Sequence, residues 1–318
     1  MSMLAEINKL YEVDQGFKSI KCDLIESVSV SVPNGMCQIC ASTKQNLNEI
    51  CTCTAPISKF SEIAIQHELL RNITDKNRCG YIKPSQIQQY AIPYIDSGFD
   101  VIGCAPEGTG KTVAYMIPLM KMVLAQSYTK HTIEPLDIQT PEAIILAPAG
   151  KINQIHNCAL KISYDQTQYS MVFALRSGAG SSNKTRKREA RVGVKHGSNI
   201  LIGTPGRVKT LLQRSTISFR NAGCFVLDDV EQMLEMQGFR KDVERIEGKF
   251  DMKHKSERQT FVFSTKFSQV IQQMAGLLMR DDYRLINCAF NRKQPCNKQH
   301  CFTFEALRHQ NEAFVRGT

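Results

Sequence analysis

The sequence has no apolar run that approaches the roughly 20 residues a helix needs to cross a lipid bilayer, although 42% of its 318 residues are hydrophobic. It also lacks the start of a secretory signal, because Glu6 stands where such a signal places positive charge and then an apolar run. Internal repeats and low-complexity segments are missing too, which excludes a repeat array. We therefore expect an intracellular protein that does not contact a membrane.

A disulfide-stapled fold is excluded as well. The 12 cysteines are dispersed along a long chain, and an intracellular compartment would keep them reduced. One cluster departs from this scatter, with thiols at Cys37, Cys40, Cys51 and Cys53. Four thiolates can hold zinc tetrahedrally, but the spacing matches no zinc motif well. A zinc site and ordinary reduced cysteines both stay open here, and the second is favoured.

Positive charge is concentrated in one part of the chain. The 40 basic and 30 acidic residues give a net charge of +10, and they divide as 5 and 6 before residue 60 but 35 and 24 after it. A basic domain behind a near-neutral leader is typical of proteins that bind a polyanion such as RNA.

Regular patterning begins at Phe60. Short apolar runs alternate with helical stretches, which indicates βαβ units and a parallel sheet. The predicted strands are Asp100–Cys104, Ala143–Ala147, Asn199–Gly203, Cys224–Leu227 and Thr260–Phe263. We predict an α/β fold with a parallel-sheet P-loop domain over residues 60–290, an irregular cysteine-containing extension over 1–59 and a tail over 291–318. Each strand ends in a polar or glycine-bearing motif, so the motifs should converge on one crevice.

The first strand is followed by a phosphate-binding pattern and then by a helical stretch. The pattern consists of Ala105, Pro106, Glu107, Gly108, Thr109, Gly110, Lys111 and Thr112. Glycines let backbone amides face phosphates, the lysine reaches the terminal phosphates and the Thr112 hydroxyl is offered to Mg²⁺. A plain glycine turn before a helix is the alternative, but the flanking strand and helix favour nucleotide binding.

An acidic pair ends a second strand. Asp228 would hold Mg²⁺ through water together with Thr112, and Asp229 would orient the attacking water. We predict Lys111, Asp228 and Asp229 as the catalytic residues. An ordinary acidic turn is the alternative.

In their order, these motifs resemble those of DEAD-box RNA helicases, most closely the Vasa-like group, over roughly residues 60–289. The resemblance implies a RecA-like domain that uses ATP and Mg²⁺ and binds RNA. The segment from Gly80 to Gln88 is similar to the adenine-reading Q motif, which implies nucleotide contacts by Lys83 and Gln88. Phe60 would stack on the base, although its spacing from Gly80 is long and a core aromatic is the alternative.

The resemblance also implies RNA contacts. Thr204, Pro205, Gly206 and Arg207 match the family's TPGR motif, and an arginine at such a turn suits a phosphate. Gly178 and Gly180 correspond to a glycine doublet whose backbone approaches RNA. In motif Ia, Gly150 replaces an arginine, and Lys151 could substitute only in part.

Several departures from the family fall on the chemistry. The Asp-Glu-Ala-Asp motif reads Asp228 to Glu231 with Asp229 one methylene shorter than the family's glutamate. Ser-Ala-Thr becomes Ser264 to Lys266, and Glu107 puts a carboxylate beside the phosphates. Only 28 residues follow Phe290, so we expect the second RecA-like domain to be absent or supplied by a protein partner.

Two functions from different classes follow. The leading one is an ATP-dependent RNA helicase, in the cytoplasm, the nucleus or ribonucleoprotein granules. The other is a catalytically impaired half-helicase that serves as an RNA-binding scaffold. A P-loop GTPase is disfavoured because the sequence has no Asn-Lys-x-Asp guanine motif.

Overall fold

A computed structural model describes residues 25–32, 54–127, 138, 140–164, 172–174, 199–235 and 238–290. The strands, numbered along the chain, are β1 Ile25–Ser31, β2 Val101–Cys104, β3 Ala143–Leu146, β4 Val172–Ala174, β5 Ile200–Gly203, β6 Cys224–Asp228, β7 Gln259–Ser264 and β8 Arg284–Phe290. The helices are α1 His67–Thr74, α2 Gln86–Asp96, α3 Lys111–Ser127, α4 Ile152–Ile162, α5 Pro205–Gln213, α6 Val230–Leu234, α7 Phe239–Lys249 and α8 Gln269–Leu278, with a 3₁₀ turn at Phe60–Glu62.

The strands form one eight-stranded sheet in the order β1-β8-β2-β7-β6-β3-β5-β4. Strands β2 to β8 pair in parallel. The predicted α/β fold with a parallel sheet is confirmed, and each of the five predicted strands is present to within one residue at either end. Because β2, β7, β6 and β3 are neighbours, the segments that follow them lie along one edge of the sheet.

Successive strand residues face opposite sides of the sheet, and a separate hydrophobic cluster covers each side. Ile145, Val226 and Phe263 belong to a cluster with residues of helices α1 to α4. Ile144, Leu227 and Val262 belong to a second cluster with residues of helices α5 to α8. The result is three layers, with helices on both faces, as continuous apolar runs in parallel strands predict. Among the described helices, no segment is long and apolar enough to span a bilayer.

Close packing of strands β2 and β7 explains a glycine in the centre of the sheet. A Cβ atom at Gly103 would lie 2.4 Å from the Phe263 ring. Phe263 is fully buried, so the ring cannot move aside. A side chain at position 103 would therefore force apart the two strands whose ends form the site described below.

The expected irregular extension needs correction where residues 25–31 are concerned. They form strand β1, which pairs antiparallel with β8 from Ile25 opposite Phe290 to Ser31 opposite Leu285. Val30 is 2% exposed and packs into the core. An alternating Val/Ser pattern is the signature of a half-buried edge strand, and its partner β8 lies at the far end of the chain, where local sequence could not reveal it.

Candidate functional site

The P-loop connects β2 to α3 and is held closed by its own side chains. Lys111 Nζ donates hydrogen bonds to the carbonyls of Ala105 at 2.7 Å and Pro106 at 3.3 Å. Thr109 Oγ1 donates to the Pro106 carbonyl at 2.7 Å. Gly108 and Gly110 have φ angles of 78° and 91°, which side-chain-bearing residues rarely adopt. The predicted loop thus forms at the predicted place, with its lysine 7% exposed.

Strand β6 brings the acidic pair to the first turn of the P-loop helix. Asp228 Oδ2 accepts hydrogen bonds from Thr112 Oγ1 at 3.2 Å and from Tyr115 OH at 2.7 Å. Burial raises the pKa of Asp228 to about 6, the charge of Asp229 adds to the rise, and Tyr115, Lys111 and Thr112 oppose it. The two residues predicted to share Mg²⁺ are therefore in direct contact, and their hard oxygen atoms are the donors that Mg²⁺ prefers.

Asp229 occupies an unusual backbone conformation at the start of α6. Its φ of 53° and ψ of 50° are left-handed, a region that aspartate tolerates better than most residues. Its Oδ2 atom lies 3.0 Å from Lys151 Nζ, and the same nitrogen is 3.3 Å from Glu107 Oε1. Lys151, which the sequence predicts to contact RNA, pairs with carboxylates of the P-loop crevice in the nucleotide-free chain.

The Q motif contacts the P-loop directly. Gln88 is fully buried, its Oε1 accepts from the Ser85 amide at 2.9 Å, and its Nε2 donates to the Gly110 carbonyl at 3.1 Å. A Cβ at Gly110 would lie 2.3 Å from that Nε2, so glycine is required there. Lys83 is exposed.

Phe60 does not present a stacking face in this structure. It is 2% exposed in the 3₁₀ turn, and its ring centroid lies 6.3 Å from that of Tyr81. This placement favours the alternative of a core aromatic.

The last acid of the acidic motif links β6 to the end of β7. Glu231 accepts from Ser264 Oγ at 2.6 Å and from the Thr265 amide at 2.7 Å. Burial alone would raise the pKa of Glu231, but these hydrogen bonds hold it below its ordinary value. Hydrogen bonds therefore connect the acidic motif with Ser264 and Thr265 at the end of β7. The side chain of Lys266 is exposed.

The predicted RNA motif lies at the end of β5. Thr204 precedes α5, Pro205 opens the helix, Gly206 is exposed and Arg207 is partly exposed. A helix start with accessible residues suits a phosphate. Gly178 and Gly180 lie outside the described residues, as do Cys37, Cys40, Cys51 and Cys53. Within the described ranges, no group of three His, Cys, Asp or Glu residues could hold a metal ion.

Two features of the site escaped sequence reasoning. Tyr115 was not singled out, although a tyrosine on the buried side of an otherwise apolar helix needs a partner for its hydroxyl. The contact between Glu107, Lys151 and Asp229 joins three loops from different strands, and no local pattern predicts it.

Asp228→Asn is expected to stabilise the nucleotide-free chain at pH 8. The raised pKa of Asp228 means that the neutral form is favoured on folding, so stability falls as pH rises from about 4 through 6. Raising the pKa of this carboxyl from 3.8 to about 6 corresponds to roughly 3 kcal/mol, and an asparagine oxygen can still accept hydrogen bonds from Tyr115 and Thr112. Thermal unfolding should show a Tm higher by a few degrees at pH 8 and a smaller difference at pH 5.

The exposed Glu257→Gln is the matched control and should leave the Tm unchanged at both pH values. A lower Tm for Asp228→Asn at pH 8 would contradict this account of the buried charge.

Comparison with known proteins agrees with this geometry. Residues 85–274 match the family model for the DEAD/DEAH box helicase. Relatives include a probable ATP-dependent RNA helicase DDX4 of Pelophylax lessonae, 32% identical over 231 residues, which are 72% of this chain and 30% of the relative. The ATP-dependent RNA helicase glh-1 of Caenorhabditis elegans is 31% identical over 232 residues, 73% of this chain and 29% of the relative.

Solved structures show the same fold. The RNA helicase Prp28 from Chaetomium thermophilum bound to ADP aligns with a TM-score of 0.60 at 20% identity, covering 92% of this chain and 61% of that one. A DEAD box protein from Methanococcus jannaschii aligns with a TM-score of 0.59 at 23% identity, covering 83% and 64%. This chain spans about 30% of the length of the first relatives. The family model covers more than half of the chain, and this chain belongs to the DEAD/DEAH box helicase family.

Proposed function

We propose that this chain binds Mg·ATP in the crevice between the P-loop and β6, and that it forms the nucleotide-binding part of an ATP-dependent RNA helicase. One observation carries the proposal. The Thr112 hydroxyl and the Asp228 carboxylate, which come from different halves of a phosphate site, lie 3.2 Å apart. Membership of the DEAD/DEAH box family supports the same conclusion.

The residues fit the ligand. Thr112 and Asp228 would hold Mg²⁺, which when bound offsets phosphate charge. Lys111 would exchange the carbonyls of Ala105 and Pro106 for phosphate oxygens, since a lysine ammonium binds phosphate as a point charge. Backbone amides at the start of α3 add the positive end of a helix dipole.

Adenine recognition by Gln88 belongs to the proposal. Because Nε2 donates to the Gly110 carbonyl, a base contact requires that bond to be shared or exchanged. Binding of the adenine base would then change the hydrogen bond between Gln88 and the P-loop. Calorimetric titration of the chain tests the function, and we expect binding of Mg·ATP and much weaker binding of Mg·GTP. Equal affinity for Mg·ATP and Mg·GTP would contradict adenine recognition by Gln88. Failure to bind either nucleotide would contradict the proposed function.

The alternative of a scaffold without turnover has its own support. Asp229, proposed to orient water, is engaged by Lys151 at 3.0 Å and is one methylene shorter than the family's glutamate. A short acid is poorly placed to act on water.

RNA binding is expected to be weak, independent of base sequence and steeply weakened by salt. The proposed contact of Arg207 is to a phosphate rather than a base edge, and each phosphate contact releases counterions. Arg207→Ala should therefore reduce the slope of log affinity against log salt by about 1. Fluorescence anisotropy with a single-stranded RNA across a salt series measures this slope.

Arg220→Ala is the matched control, because Arg220 is exposed and precedes β6 at the opposite edge of the sheet. An affinity that stays constant between low and moderate salt would contradict the electrostatic mechanism.

A further inference from the structure

Lys151 connects loops that follow three different strands. It lies in the turn between β3 and α4, and its Nζ reaches Asp229 after β6 at 3.0 Å and Glu107 in the P-loop at 3.3 Å. Strand β7 lies between β2 and β6 in the sheet, and β6 between β7 and β3. The lysine side chain thus extends along the carboxyl edge of the sheet, across the crevice that the proposed nucleotide would fill.

The charges around Lys151 show why a cation is needed there. Glu107, Asp228 and Asp229 are carboxylates beside the proposed phosphate site, and Lys111 alone cannot balance them. A triphosphate would be repelled by Glu107 and Asp229 unless a cation stood between them and the phosphates. Lys151 Nζ already pairs with both of these carboxylates.

The state of Lys151 suits a mobile phosphate ligand. Burial alone would lower its pKa, but the hydrogen bond and charge of Asp229 and the charge of Glu107 outweigh burial, so its pKa lies above the ordinary value. It therefore carries a full charge at neutral pH. Its side chain is 30% exposed and that of Glu107 is 72% exposed, so the pair with Glu107 can open into solvent at small cost.

If the proposed function is correct, Lys151 has a second role, and we propose that it is a further ligand of the γ-phosphate of ATP. To reach this phosphate, the Lys151 side chain would break its ion pairs with Glu107 and Asp229. Asp229 would face the terminal phosphoryl group, and Lys151 Nζ lies within hydrogen-bond distance of its carboxylate. Lys151 is therefore a residue of the nucleotide site that favours a triphosphate over a diphosphate. It also frees Asp229 only when the terminal phosphate is present.

The test is calorimetry on the full chain with a non-hydrolysable ATP analogue and with ADP, both with Mg²⁺. A hydrogen bond to a charged group contributes about 1.5 to 3 kcal/mol, so Lys151→Met should weaken the triphosphate about tenfold to a hundredfold. Binding of ADP should change by no more than about twofold, because ADP lacks the γ-phosphate that Lys151 would contact. Lys151→Arg keeps the charge and should retain most of the affinity.

Two further variants sharpen the result. Lys121→Met is the matched control. Lys121 lies on α3, its Nζ pairs with Asp96 at 2.7 Å, and its side chain is 29% exposed, close to the 30% of Lys151. It should change neither affinity. Adding Glu107→Gln to Lys151→Met should recover part of the triphosphate affinity, because the unpaired carboxylate that repels the ligand is removed.

Four other outcomes would overturn the inference. Equal triphosphate affinity in Lys151→Met and wild type would do so while the proposed nucleotide binding stands. Equal weakening of triphosphate and diphosphate would make Lys151 a support of the P-loop only. If Lys151→Met lowers the affinity for RNA and leaves the affinity for nucleotide unchanged, Lys151 is an RNA contact of motif Ia and not a nucleotide ligand. A wild-type chain that binds no nucleotide would overturn this inference and the proposed function together.

Discussion

Lys111→Ala is expected to abolish binding of adenine nucleotides by the full chain. Lys111 is 7% exposed, and its Nζ donates hydrogen bonds to carbonyls of the loop that would surround the phosphates. Removing it leaves Glu107, Asp228 and Asp229 facing an anion with one cation fewer. We expect a loss of more than about a hundredfold, which corresponds to roughly 3 kcal/mol. Calorimetry with Mg·ATP measures it directly.

Loss of the fold must be separated from loss of the ligand. Lys121→Ala removes a lysine from the same helix but outside the site, and it should bind nucleotide like the wild type. Thermal unfolding of Lys111→Ala without nucleotide should show that the chain remains folded. Equal affinity in wild type and Lys111→Ala would exclude the P-loop as the phosphate site.

The central strands of the sheet can be predicted from the sequence alone. Strands β2, β3, β5, β6 and β7 are short apolar runs buried on both faces, and such runs end abruptly where polar motifs begin. The position of Lys111, Thr112 and Asp228 at one edge follows from parallel topology alone. The proximity of Thr112 and Asp228 was therefore predictable without knowledge of any distance.

The edges of the sheet were less predictable because their pairing is distant in sequence. Strand β1 depends on β8, about 260 residues later, and strand propensity depends strongly on such context. The position of Lys151 is harder still. Motif order predicts an RNA contact for Lys151, but it does not predict the ion pairs with Glu107 and Asp229, which loops after three different strands bring together.

The 318-residue chain alone is expected to hydrolyse ATP very slowly and not to unwind RNA duplexes. Hydrolysis requires a positioned water and compensation of the charge that develops on the terminal phosphoryl group. The acid proposed to position water is one methylene shorter than the family's glutamate, and a displacement of about 1 Å can reduce the rate on the order of 10²-fold. Arginine fingers in related machinery contribute about 10³ to 10⁵ in rate, whereas the cations that the structure places at this site are Lys111 and Lys151.

These two deficits act on the same transition state, so repair of one should not restore the rate. Asp229→Glu alone should leave RNA-stimulated phosphate release near background, because lengthening the acid supplies no arginine. Fusing the Asp229→Glu chain to a second RecA-like domain from a related helicase should raise the rate well above that of either change alone. The fusion with Lys111→Ala is the control for contaminating ATPase and should be inactive. Vigorous RNA-stimulated turnover by the unmodified, partner-free chain would contradict this prediction, because Asp229 and the lysines would then be sufficient for a step that we assign to a longer acid and an arginine.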